Sequence, residues 1–299
     1  MPEPTRQRSL AQRLAPWALL VMAVLWGSTF FSIKRLVTVL PPEDFLAVRY
    51  LMSTIVLVAV FHRQLRMGWR TFGQGVCLGL LWAAAQLLQT IGLTSTPASI
   101  SGFITGLYVV ATPVLGFLVF RFRITAWVWL AVVLATAGLG VLTLRSSGSG
   151  LGLGELLTLG SALIFALHIL LLGRWSTPTK AGPLTCAQGI AMTVVFFIFA
   201  VPGGIQVPTT AVNWIWMVYL AVFCGAITLL LQTWAQSHVE PSKAAVIMCS
   251  EPLWATLFAM AFGGERPTWL FAIGAAAILA AMALVIRHPT RVRAKDSSS

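Results

Sequence analysis

Charged side chains are scarce in this sequence of 299 residues: they make up 9% of it, whereas hydrophobic residues make up 58%. Soluble domains carry about 25% charged residues, so most of this protein's surface cannot face water. Long uncharged runs occur instead, and residues 181–236 contain no charge at all. Because a helix needs about 20 mostly apolar residues to cross the hydrocarbon core, the composition predicts a polytopic helical membrane protein.

Cysteine is also rare, and several catalytic motifs are missing. The four cysteines fall singly in apolar runs, without the spacing of a metal site, so we expect buried thiols and no metal. No GxxxxGK loop occurs, which argues against direct use of ATP, and we expect no cofactor. Neither HExxH nor Gly-x-Ser-x-Gly is present. An intramembrane enzyme is a distant alternative, with Glu251 and His168 as its one conceivable acid–base pair.

Ten apolar stretches have the length of a membrane span, and together they predict an all-α protein with ten transmembrane helices. They cover residues 15–34, 45–61, 72–92, 98–120, 126–144, 153–173, 182–201, 211–236, 244–262 and 267–286.

The net charge of +12 would indicate a nucleic-acid partner in a soluble protein. If the N-terminus is cytoplasmic, however, most basic residues fall in cytoplasmic loops and tails, as the positive-inside rule requires. The sequence therefore predicts a multi-pass protein of the cell's inner (plasma) membrane with both termini in the cytoplasm. Its surroundings are the lipid bilayer, and we expect no nucleic-acid partner.

The two halves of the sequence resemble each other. Leu-Leu-Gln-Thr begins at Leu87 and again at Leu230, and one offset places Arg49 on Gln188 and Pro113 on Pro252. Five predicted spans separate the copies, so the second copy is inverted in the membrane, an arrangement typical of transporters. We predict a cytoplasmic tail (1–14), a first repeat (15–144), a linker (145–152), a second repeat (153–286) and a second cytoplasmic tail (287–299).

Several stretches carry a resemblance to a known family. They are WGSTFFSIK from Trp26, Arg49, Pro113, and EPSKAAVIMCSEPLWATLFAMAFGGERPTW from Glu240. The sequence resembles the drug/metabolite transporter superfamily, and within it the ten-helix exporters built from two EamA domains. This resemblance implies a metabolite exporter. One departure is that Arg121, Phe122 and Arg123 replace the Gly-Glu expected before the fifth helix, whereas the second half keeps Glu265.

Polar residues inside the predicted spans indicate which helix faces line a central cavity, because polar groups facing lipid are costly. In the third helix, Trp82, Gln86 and Gln89 share one face, and Gln232 lies on the equivalent face of the eighth. Interhelical hydrogen bonding, worth about 0.6 kcal/mol per contact, is the alternative role. The other candidates for substrate binding are Trp26, Thr29, Tyr108, His168, Trp234 and Ser250, with Phe165 and Met248 beside them.

Glu251 is the only acid near the middle of a predicted span. It has three interpretations: a proton-coupling carboxylate, an anchor for a substrate ammonium group, or a structural residue. A neutral, hydrogen-bonded His168 is favoured over a proton sensor. Arg49 is expected to reach the membrane surface, with contact to a substrate carboxylate as the alternative.

Pro113 and Pro252 are candidate gating residues, because proline removes an amide donor and bends a helix, although a static bend would have the same signature. Small residues in the fifth and tenth helices predict close packing between the halves or a dimer face.

The sequence as a whole predicts an exporter that moves amino acids, preferably bulky aromatic or apolar ones, by alternating access. A drug or sugar-type metabolite transporter is the alternative, and a monomer and a homodimer both remain open.

Overall fold

A computed structural model describes residues 9–96, 98–121, 125–143, 152–263 and 269–287. These residues form helices and their connections, and no strand occurs among them. Most of the predicted linker and tails lies outside the described residues, as do Phe122, Arg123 and Glu265.

Seven α-helices occupy the described part of the first half. They are α1 (Leu10–Gly27), α2 (Thr29–Leu36), α3 (Pro42–Phe61), α4 (Trp69–Ser95), α5 (Ala98–Gly106), α6 (Tyr108–Phe120) and α7 (Ala126–Thr143).

Seven more follow in the second half. They are α8 (Leu153–Trp175), α9 (Ala181–Ala200), α10 (Ala211–Ala221), α11 (Thr228–Gln236), α12 (Pro241–Met248), α13 (Glu251–Gly263) and α14 (Trp269–Arg287). A π-helical segment, Val222–Ile227, joins α10 to α11.

Local sequence signals explain several helix starts. Ser9 and Gln12 form a capping box in front of α1, in which each side chain bonds the other residue's backbone. Pro42 and Pro241 stand at the first positions of α3 and α12, where the missing amide hydrogen costs nothing. Glu43 and Asp44 lie in the first turn of α3, where the helix dipole favours negative charge.

Seven segments of the described chain are long and apolar enough to cross a membrane, and two shorter apolar helices accompany them. The seven are Leu10–Leu36, Pro42–Phe61, Trp69–Ser95, Ser101–Phe120, Leu153–Trp175, Ala181–Gly203 and Ala211–Gln236, and the shorter pair is Ala126–Gly138 and Ala272–Leu284. Large apolar side chains on their outer faces, such as Val60, Leu118, Leu130 and Ile198, are exposed. These features establish a multi-pass membrane protein, whereas the count of ten crossings stays a prediction.

Three of the predicted spans are broken helices. The chain breaks at Ser28 between α1 and α2, at Leu107 between α5 and α6, and at Cys249–Ser250 between α12 and α13. Pro252 follows the third break directly, as predicted for a helix bent by proline, but Pro113 lies inside α6, well after the break at Leu107. The two breaks are therefore not at equivalent positions, because Leu107 lies six residues ahead of Pro113 whereas Ser250 lies two residues ahead of Pro252.

Packing runs mainly between the two halves. α3 lies along α9, α4 lies between α8 and α9, and α7 lies along α14. Where α7 packs against α14, a Cβ added to Gly138 would lie 2.8 Å from Gly274 O and 3.0 Å from Ala277 Cβ. The small residues of the fifth and tenth predicted spans thus pack against each other, as one of the two sequence interpretations expects.

Candidate functional site

A cavity lies between the two halves. The space between its side chains, including the open mouth, is about 500 Å³. Eight of the predicted binding residues line it: Trp26, Thr29, Trp82, Gln86, Gln89, Tyr108, Gln232 and Glu251. Six further residues complete the lining: Ile33, Arg49, Thr105, Phe165, Ile169 and Met248.

The wall formed by α4 is held by a chain of hydrogen bonds. Trp82 Nε1 donates to Tyr50 Oη at 2.7 Å, and the Tyr50 hydroxyl donates to Gln86 Oε1 at 3.3 Å. Gln86 Nε2 donates to Gln89 Oε1 at 3.2 Å, and Gln89 Nε2 donates to Thr105 Oγ1 at 2.9 Å. This wall is therefore preorganised, since each amide is fixed by its neighbours.

Other lining residues, outside α4, have polar atoms without partners among the described residues. Gln232 Nε2 has only the Met248 sulfur, at 3.9 Å, and Gln232 Oε1 has no partner among the described residues. The Tyr108 hydroxyl is likewise buried without a described partner. Buried polar groups normally have partners, so unpaired ones beside a cavity are atoms that a bound molecule can satisfy.

Glu251 begins α13 at the break that follows α12 and is 7% exposed. Within the described chain, no hydrogen bond or ion pair to its carboxylate occurs. The backbone around it is held tightly, because a Cβ on Gly27 of α1 would lie 2.9 Å from Glu251 O. α1 thus fixes the start of α13, while the carboxylate stays available to the cavity that it lines.

The expectation that Arg49 reaches the membrane surface is wrong. Its side chain is 3% exposed and lines the cavity. Nε donates to Leu220 O at 3.3 Å, and Nη2 donates to Cys224 O at 3.2 Å. Both carbonyls belong to the end of α10 and the π-helical segment, where the wider turn changes the backbone pairing. These two hydrogen bonds hold the guanidinium inside the protein, away from the membrane surface.

Three predicted binding residues lie outside the lining. His168 stands behind Trp82, with ring centroids 5.0 Å apart, and its Nε2 donates to Gln188 Oε1 at 2.9 Å. Trp234 packs against His238 with its ring, and the Ser250 hydroxyl donates to Ile247 O within the break between α12 and α13. His168 is therefore hydrogen-bonded, as expected from the sequence. It packs against Trp82 from outside the cavity lining.

Thr105, Ile33 and Ile169 line the cavity but were missed by sequence reasoning. Thr105 precedes the predicted Tyr108 by three residues, so the helical repeat would place both on one face. The two isoleucines carry no such signal, because an apolar side chain in an apolar span is equally suited to lipid, core or cavity.

These helices, their exposed apolar faces and the cavity between the two halves define a multi-pass membrane protein of the transporter class. The sequence pattern of the EamA-like transporter family matches residues 13–144 and again 152–287. The chain belongs to this family of transporters, which is part of the drug/metabolite transporter superfamily.

Two individual proteins are similar to this chain. An uncharacterized transporter of Archaeoglobus fulgidus is 31% identical over 273 residues, which cover 91% of this chain and 85% of that protein. One crystal structure of a protein superimposes with a TM-score of 0.76 over 91% of this chain and 96% of that one. With 17% identity, the second likeness supports the fold alone.

Proposed function

We propose that this transporter is an inner-membrane exporter of amino acids with bulky aromatic or apolar side chains, and that it works by alternating access between two inverted five-helix repeats. The observation that carries the proposal is the composition of the cavity lining. It combines one carboxylate, Glu251, with apolar and aromatic walls that include Trp26, Trp82 and Phe165. An ammonium group on a bulky apolar body fits such a lining, because aromatic walls also attract cations.

The helix contacts support the inverted repeat. If α1 with α2 corresponds to α8, and α4 corresponds to α10 with α11, then the contact of α4 with α8 has its counterpart in the contact of α1 with α11. The contacts of α3 with α9 and of α7 with α14 each join equivalent elements. A two-fold relation between the halves generates such paired contacts, with the cavity at its centre.

Within the family, the proposed function is that of an aromatic amino-acid exporter, supported by the aromatic residues of the lining. The alternative is a drug transporter, because a lipophilic cation would satisfy Glu251 and the aromatic walls equally well. A sugar-type substrate is less favoured, since much of the lining is apolar.

Counterflow in liposomes tests the proposal. The purified protein is reconstituted, and the uptake of labelled phenylalanine, leucine, glucose and a lipophilic cation is measured against internal unlabelled substrate. We expect exchange of phenylalanine and leucine. Exchange of the lipophilic cation alone would indicate a drug transporter, and exchange of glucose alone would indicate a sugar-type transporter.

A further inference from the structure

The charge of Arg49 is buried and only partly compensated. Its guanidinium has two backbone carbonyls, Leu220 O and Cys224 O, and two aromatic rings, with centroids 5.8 Å (Phe45) and 5.3 Å (Tyr50) away. No described carboxylate forms an ion pair with it. A buried cation without an anion is costly, since carbonyl dipoles replace only part of its lost hydration.

One guanidinium nitrogen has no described partner. Nη1 is buried without a hydrogen bond, and the side chain lines the cavity. Arginine presents its donors as a planar fork that matches the two oxygens of a carboxylate. The carbonyl bonds hold Nε and Nη2 in place, so the orientation of the fork is set before a ligand arrives.

The same cavity is lined by Glu251, whose carboxylate has no partner among the described residues. A cavity with one cation and one anion that do not pair with each other is complementary to a zwitterion. An amino acid has a positive and a negative group bonded to the same α-carbon, whereas a lipophilic cation has only a positive charge.

We propose that Arg49 binds the carboxylate of the substrate, so that the cavity selects molecules that carry a carboxylate together with an ammonium group. This inference rests on the proposed function and assigns one residue to one half of substrate recognition. Arg49 also connects α3 to the π-helical segment, and an experiment has to separate this structural role from recognition.

A pair of competitors separates the two roles. In reconstituted protein, the exchange of labelled phenylalanine is competed with unlabelled phenylalanine or with phenylalaninamide, which keeps the ammonium group and the ring but lacks the carboxylate. The ratio of the two inhibitory concentrations is measured for the wild type, Arg49→Gln and Arg49→Lys. Ile33→Val is the control, because it alters the cavity lining without changing charge.

In the wild type we expect the amide to bind about 10- to 100-fold more weakly than the amino acid, as for the loss of one charge-assisted contact. Arg49→Gln should bring this ratio close to one, because it weakens the binding of phenylalanine but not that of the amide. Arg49→Lys should reduce the ratio, and Ile33→Val should leave it unchanged. If Arg49 had a structural role alone, Arg49→Gln would weaken the binding of both competitors equally and the ratio would not change.

Two results would overturn the inference: a wild type that binds the amide as well as the amino acid, or an Arg49→Gln variant that keeps the ratio. If Arg49→Gln does not fold, the inference is tested by the ratio of inhibitory concentrations in the wild type and in Arg49→Lys. A wild type that exchanges no amino acid at all would refute the proposed function instead.

Discussion

At the scale of single residues, Glu251 differs from the other side chains of the cavity. Among the described residues it is the one carboxylate in the lining, and no described side chain pairs with it. A structural glutamate would be expected to donate or accept a hydrogen bond, since buried polar groups rarely lack partners. The missing partner favours contact with a substrate ammonium group over the structural interpretation.

The substitution Glu251→Gln tests this role. Glutamine keeps the size and one acceptor oxygen but cannot carry a negative charge. We expect both gradient-driven transport and gradient-free exchange to fail, and phenylalanine affinity to fall by about one to two decades, because one charge-assisted contact of about 1.5–3 kcal/mol is lost. Radiolabelled uptake and binding in liposomes measure the three quantities, with Glu251→Asp as the charge-preserving control.

The other outcomes are equally informative. Loss of driven transport with intact exchange would assign Glu251 to proton coupling instead of substrate binding. Normal activity in both assays would make it structural.

The sequence predicted most of the polar lining, because helical periodicity identifies which residues share a face. Gln86 and Gln89 follow from that rule alone. The rule does not say which helix lies behind another, so His168 was predicted to line the cavity although it stands behind Trp82. Arg49 was misplaced for a related reason: a partner on a helix far along the chain has no local signature.

At the scale of helices, the contact between α3 and the π-helical segment is unusually close. Gly225 packs against Ser53, whose hydroxyl donates to Ala221 O at 2.6 Å. A Cβ on Gly225 would collide with Ser53 Oγ and would lie 3.2 Å from Leu220 O. This contact places the two carbonyls that hold Arg49.

We expect Gly225→Ala to lower stability by about 1–3 kcal/mol, as overpacking does. Ser53→Ala removes the colliding oxygen, so the double variant should be more stable than the sum of the two single losses predicts. Melting temperatures in detergent of the wild type, both single variants and the double variant measure this coupling. Gly160→Ala is the control, because its nearest contact would be Leu88 Cδ1 at 3.6 Å.

Strictly additive losses would show that Ser53 and Gly225 do not constrain each other, and the close contact would then not fix the π-helical segment.

Sequence periodicity placed the helices but not their interruptions. The breaks at Ser28 and Leu107 and the π-helical turn preserve apolar composition, so they leave no trace in hydropathy. Only the break before Pro252 has a residue that requires it, since proline cannot donate to the preceding turn. The others arise from packing between distant helices.

At the scale of the whole molecule, the proposed inverted repeat requires an odd number of crossings in each half. We therefore expect the C-terminus to lie in the cytoplasm and the region near Ser147 to lie outside. A reporter pair, one active in the cytoplasm and one active outside, is fused at Ser299 and inserted near Ser147. If the reporters at Ser299 and near Ser147 show that both positions lie on the same side of the membrane, five crossings per half are contradicted.

The packing between the halves has a consequence for how the protein is made. Since α4 lies between α8 and α9, its face with Gly75, Gly79 and Gly92, which packs on those two helices, has no permanent neighbours when the ribosome has synthesised only the first half. This face must then contact lipid, or the insertion machinery, until the chain beyond residue 153 has entered, whereas Gln86 and Gln89 already have their partners Tyr50 and Thr105 in the first half. Assembly is therefore a late event: helices insert first, and the fold forms only when synthesis of the second half is well advanced.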